Sequence, residues 1–110
     1  MNLATELSLK VAGKCAVIAV GVYINRVRRR QQEIRNTITI VQDEWKASAG
    51  AQSLYDRYSA GKLSRKDWVI ENQTQQAKLA WLAMSVNPNT RDTEAAEAIR
   101  KAFPHARSWV

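Results

Sequence analysis

Apolar positions along this chain change their spacing several times, and each change predicts a different element. From Val11 to Ile24 the residues are almost all apolar, interrupted by Lys14. The run closes on Arg26, Arg28, Arg29 and Arg30. Beyond it Ile34, Ile38, Val41 and Trp45 recur at steps of four, three and four, an apolar helical stripe. Arg35, Gln42, Asp43 and Lys46 fall opposite, as a solvated face. Neither proline nor glycine interrupts Arg26 to Ala49, so the two segments can join in one rod through the arginines. Asn36 to Val41 alternates like a strand and is rich in β-branched residues. It lacks a second strand to pair with, and helix is the preferred reading.

Gly50 is expected to break the pattern. A short helix should follow from Ala51 to Ala60, with Leu54, Tyr55 and Tyr58 on one face and Gly61 just past its end. Ser64 is a good N-cap, Asp67 three residues on approximates a capping box, and Leu63 with Trp68 forms a staple pair. A helix therefore starts at Arg65. It is polar from Glu71 to Gln76 and apolar from Ala77 to Val86. Trp81 and Met84 continue the face of Ile70 and Ala77, while Leu79 and Leu82 lie elsewhere around the axis. A helix apolar on most sides is expected to be buried on most sides. Asn87-Pro88-Asn89 ends it. A last helix begins at Thr90 or Asp92, with Ala95, Ala96, Ile99 and Phe103 inward, and Pro104 stops it. His105 to Val110 should be a loose tail. The fold class is all-α, four to five helices, a long N-terminal helix followed by a small helical bundle. The organisation read from these patterns is an apolar segment over 1–27 and a helical interaction domain over 28–110.

The segment Leu54 to Glu71 resembles the SHOCT family of short helical modules, through Leu54, Tyr58, Gly61, Leu63, Ser64, Asp67 and Trp68. The match covers under a fifth of the chain and lies mid-chain, whereas the family's module usually ends its protein. The resemblance implies an oligomerisation or interaction role without catalysis.

A membrane-spanning helix needs about 20 mostly apolar residues. Val11 to Ile24 supplies fourteen. Extension to Leu7 and Val27 adds Lys10, Asn25 and Arg26. A lysine at the bilayer centre costs roughly 2.5–3.5 kcal/mol, although Lys10 and Lys14 could both snorkel toward one end. A buried helix and a membrane-associated one therefore both fit. If the segment spans, the arginines place the bulk of the chain in the cytoplasm. Ala12, Ala16 and Gly21 would let another helix approach closely. The basic residues follow the apolar run rather than precede it, which argues against a cleaved secretory signal.

Charge sharpens this picture. The chain carries a formal net charge of +7 over 110 residues. Five arginines (Arg26, Arg28, Arg29, Arg30, Arg35) stand against Glu33 within residues 25–35. Such a patch attracts phosphate, of nucleic acid or of lipid headgroups. Catalytic chemistry is not evident. The single cysteine, Cys15, sits in the apolar run, and the single histidine, His105, lies in the tail. Glu94 and Glu97 share a helix face with Arg91, Arg100 and Lys101 nearby, which suits surface ion pairing. Phosphate loops, nucleophile elbows and metal-ligand spacings are not found, so neither an enzyme nor a cofactor or metal site is expected. Trp45, Trp68 and Trp81 fall on core faces, and Trp109 is expected to dock on a partner or, the preferred reading, on the body of the protein.

Two functions remain. The first is a small non-enzymatic interaction or assembly protein, membrane-associated through its first helix or else cytoplasmic. It would meet a protein partner or its own copies through Ala12, Ala16 and Gly21, or through Ile34, Ile38, Val41 and Trp45. The second is a basic nucleic-acid-binding regulator using Arg26 to Arg35, with Arg65 and Lys66 opening a candidate recognition helix. Small size and helical character fit an accessory protein of a phage or plasmid.

Overall fold

The computed structural model describes the backbone of residues 3–107 and 109 and the side chains of 22–107 and 109. Four helices form: α1 Leu3–Lys46, α2 Ala49–Ser59, α3 Arg65–Ser85 and α4 Asp92–Ala102. Strands are absent among the described residues. The chain divides into two units, Met1–Gln31 and Gln32–Val110.

In the first unit the backbone is helical, and the described side chains begin at Val22. Val22, Tyr23 and Ile24 are exposed. At roughly 100° per residue they point to three different sides of the helix.

The second unit holds the core. Ile34, Ile38 and Val41 of α1 meet Ala77, Ala80 and Met84 of α3, Ala95 and Ile99 of α4, and Phe103 just beyond α4. Alanines at three of these positions let the helices approach closely. The Asn36 to Val41 segment is helical despite its alternation. Thr37 and Thr39 donate their hydroxyls to the carbonyls of Glu33 (2.8 Å) and Arg35 (3.0 Å). Those bonds keep the hydroxyls satisfied inside a helical turn.

Gly50 does not make the first break. Ala47 and Ser48 do: Ser48 caps α2, its Oγ accepting from the Ala51 amide at 3.2 Å. Gly50 sits inside the first turn of α2, where a Cβ would come within 3.1 Å of the Trp45 ring. Close approach of that ring, rather than helix termination, is what the position requires.

The α2–α3 junction follows its sequence signals. Gly61 has φ 73°, Lys62 N–H donates to Arg57 O (2.9 Å) and Gly61 N–H to Tyr58 O (3.1 Å). This is a Schellman motif, closing the orphan carbonyls of α2. Ser64 then accepts from the Asp67 amide at 3.1 Å. Tyr58 stacks on Trp68 with ring centroids 5.0 Å apart, and Tyr55 meets Trp68 edge-on. That aromatic contact clamps α2 to α3.

Two expectations are corrected. α3 is not buried on most sides: Leu79, Leu82 and Val86 are exposed, Leu82 by 64% and Val86 by 82%. Along this stretch the core draws on buried Ala77, Ala80 and Met84, with half-buried Trp81 packed against them. Nor is the segment after Pro104 loose. Phe103 is buried, and Trp109 packs edge-on against Trp81 at 5.5 Å with the Arg100 guanidinium over its ring. His105 N–H donates to Gln73 Oε1 (2.7 Å) and Arg107 N–H to Thr74 Oγ1 (2.9 Å). Residues 104–107 therefore form a strap tied to α3.

Candidate functional site

The sequence-derived site residues separate into three groups. Arg26, Arg28 and Arg29 are exposed and Arg30 is half-buried, all in the first unit. Helical geometry sets Arg26, Arg29 and Arg30 on one side and Arg28 on the other. Arg35, in the second unit, is exposed and donates to Gln32 Oε1 at 3.2 Å. Ala12, Ala16 and Gly21 lie outside the residues whose side chains are described, as does Cys15. Ile34, Ile38 and Val41 are spent in the core of the same chain. Trp45 is half-buried, its indole N–H donating to Asn72 Oδ1 on α3. The stripe that sequence reasoning offered to a partner helix thus meets helices of its own unit.

Sequence reasoning missed two concave surfaces in the second unit. The larger is a half-open groove of about 650 Å³ between the start of α3 and the strap. Arg65, Lys66, Val69 and Ile70 line one side; Pro104, His105, Ala106 and Arg107 line the other. Arg65, Lys66, His105 and Arg107 are exposed, while Val69, Ile70 and Ala106 are half-buried. Among the described lining residues there is no carboxylate, while Arg65, Lys66 and Arg107 are cationic. The α3 N-terminus adds to that charge, because the helix dipole is positive there.

The smaller is a cleft of about 320 Å³ lined by Trp45, Tyr55 and Trp68 with Gln52, Asn72 and Gln76. Hydrogen bonds already engage Trp45 with Asn72, Gln52 with Asp56, and Gln76 with the Asn72 carbonyl. Of these, the Trp45–Asn72 bond joins α1 to α3, and the other two lie within α2 and within α3.

Glu97 pairs with Lys101 at 3.1 Å on an exposed face, as surface ion pairing predicts. Among the described residues, no group of three or more His, Cys, Asp and Glu could hold a metal ion, and no helix is long and apolar enough to cross a membrane. The apolar run before Val22 lies outside that statement. The chain matches no family model, no curated protein and no solved structure.

Proposed function

We propose that this is a non-enzymatic helical interaction protein, held at the cytoplasmic face of a membrane by its first unit, with residues 32–110 as the interaction body. The observation that carries the reading is the exposure of Val22, Tyr23 and Ile24 immediately before the arginines. An apolar helix segment ending in a tyrosine and then arginines suits the boundary between acyl chains and headgroups. Near an anionic leaflet each arginine is worth about 1 kcal/mol, so the exposed Arg26, Arg28 and Arg29 together supply about 3 kcal/mol. That shifts partitioning by roughly two orders of magnitude. The body adds the local resemblance of Leu54 to Glu71 to short interaction modules.

A nucleic-acid reading rests on the same arginines. A recognition role for α3 has less support, because Trp68, Val69 and Ile70 are half-buried and Asp67 sits in its first turn.

Vesicle co-sedimentation of the full chain tests the proposal. Vesicles rich in phosphatidylserine should pellet the protein, and neutral vesicles should pellet far less. The triple variant Arg26→Gln/Arg28→Gln/Arg29→Gln should lose most of the difference. Retention through salt and carbonate washes of cell membranes would mark an integral anchor, and release by salt a peripheral one. A full chain that stays in the supernatant with anionic vesicles, yet shifts duplex DNA, would overturn the membrane reading in favour of nucleic acid.

A further inference from the structure

We infer that the groove between the start of α3 and the strap is a docking site for an extended, acidic peptide segment of a partner protein that carries apolar side chains. The inference goes beyond membrane attachment and stands or falls separately from it, since every residue involved lies in 32–110.

Charge and surface chemistry select the occupant. Arg65 and Lys66 line the helix side and Arg107 the strap side, and among the described lining residues no acidic side chain neutralises these three cations. Between them lie Val69, Ile70, Pro104 and Ala106. A fitting ligand therefore presents carboxylates beside aliphatic groups. Small-molecule sites bury most of their ligand's surface, and a half-open groove does not. A peptide lying along it needs no such enclosure. Single-stranded nucleic acid would ask for stacking platforms, and no Phe, Tyr or Trp lines this groove.

The strap also fixes the mode of recognition. The amides of His105, Ala106 and Arg107 are all engaged, with Gln73, the Phe103 carbonyl and Thr74. The strap has no run of free N–H donors to which a strand could add. Side-chain charge and apolar contact must carry both affinity and selectivity. The two tethers to α3, with Phe103 buried beneath, hold the groove's second wall in place before any ligand arrives.

The test is fluorescence anisotropy of a labelled short peptide alternating Glu with Leu around a central Pro, titrated with the full chain without lipid. Saturable binding is expected, and replacing every Glu of the peptide by Gln should abolish it. Arg65→Gln/Lys66→Gln/Arg107→Gln should weaken binding about tenfold, the combined effect of three solvent-exposed charge contacts. Arg26→Gln/Arg28→Gln/Arg29→Gln removes the same charge from residues outside the groove's lining and should change it less than about twofold. All six arginine and lysine positions are exposed, and unchanged circular dichroism would confirm that both variants fold. Equal weakening by the two variants, equal binding of the Gln peptide, or no saturable binding would overturn the site. Tighter binding of a single-stranded oligonucleotide, lost in the groove variant, would overturn the peptide as its occupant. Failure of vesicle binding leaves each of these readouts unaffected.

Discussion

Ile99→Ala is the sharpest perturbation of the body. Ile99 is fully buried, at the centre of the cluster formed by α1, α3 and α4. The substitution removes three carbons, at about 0.8 kcal/mol each for lost burial. A cavity term adds to that loss when neighbours cannot relax into the space. Three members of the cluster are Ala77, Ala80 and Ala95, whose methyl groups sit on helical backbone and have no rotamers with which to refill it. The expected cost is about 3–4 kcal/mol. A unit of this size has a total stability of roughly 4–12 kcal/mol. At about 4–8 °C per kcal/mol, the midpoint should fall by roughly 12–32 °C. Tryptophan fluorescence is the appropriate probe, because Trp81 and Trp109 pack against this cluster. Urea and thermal unfolding of the full chain would be compared with Leu82→Ala, a deletion of the same three carbons on an exposed face. That control should stay within about 0.5 kcal/mol. A loss below about 1 kcal/mol for Ile99→Ala would refute the inward placement of that α4 face, and a comparable loss for Leu82→Ala would refute the outward placement of that α3 face.

Gly61→Ala should cost about 1–2 kcal/mol through backbone strain alone, because φ is 73° and no atom lies within 4 Å of the added Cβ; chemical denaturation would read the loss, and no loss would count against the Schellman geometry. Thr74→Val deletes the acceptor of the Arg107 amide and the hydroxyl bond to Ile70 O, and should cost about 1 kcal/mol. Faster hydrogen exchange at the Arg107 amide, with little change in the core of α4, would mark release of the strap; unchanged exchange would show that Gln73 alone secures it.

Local chemistry made part of this fold legible. The Ser64 cap, Asp67 and Gly61 fix the α2–α3 turn through contacts that span only a few residues, so their pattern is complete in the sequence. Ile34, Ile38 and Val41 were equally plain as a buried face, since a helix needs only one stripe to enter a core. What periodicity did not reveal was the identity of the element covering that stripe. Partner and self look alike until α3 and α4 are in place. Ser48 was obscured by Gly50 two residues later: glycine is the stronger general breaker, but here the Trp45 ring accounts for it.

The Ala77 to Val86 segment exposes the physical limit of reading burial from composition. Apolar residues all round a helix show how much surface could be buried, while the number of neighbouring helices sets how much is. With three other helices among the described residues, α3 gives Ala77, Ala80 and Met84 to the core and leaves Leu79, Leu82, Ala83 and, at its C-cap, Val86 in solvent. The groove was hidden for a related reason. Its walls are residues 65–70 and 104–107, nearly forty positions apart, and neither half is a motif. Arg65 and Lys66 read as the solvated first turn of a helix, and Pro104 to Arg107 as a tail. Their juxtaposition depends on Phe103 being buried and on Gln73 and Thr74, polar residues within a helix, accepting two amides from the strap. The available sequence signal was that polar stretch in α3, Glu71 to Gln76. Thr74 and Gln76 are buried there, and a buried polar side chain needs a partner. Thr74 donates its hydroxyl to Ile70 O and accepts the Arg107 amide, so one buried side chain of α3 ties the strap that forms the groove's second wall.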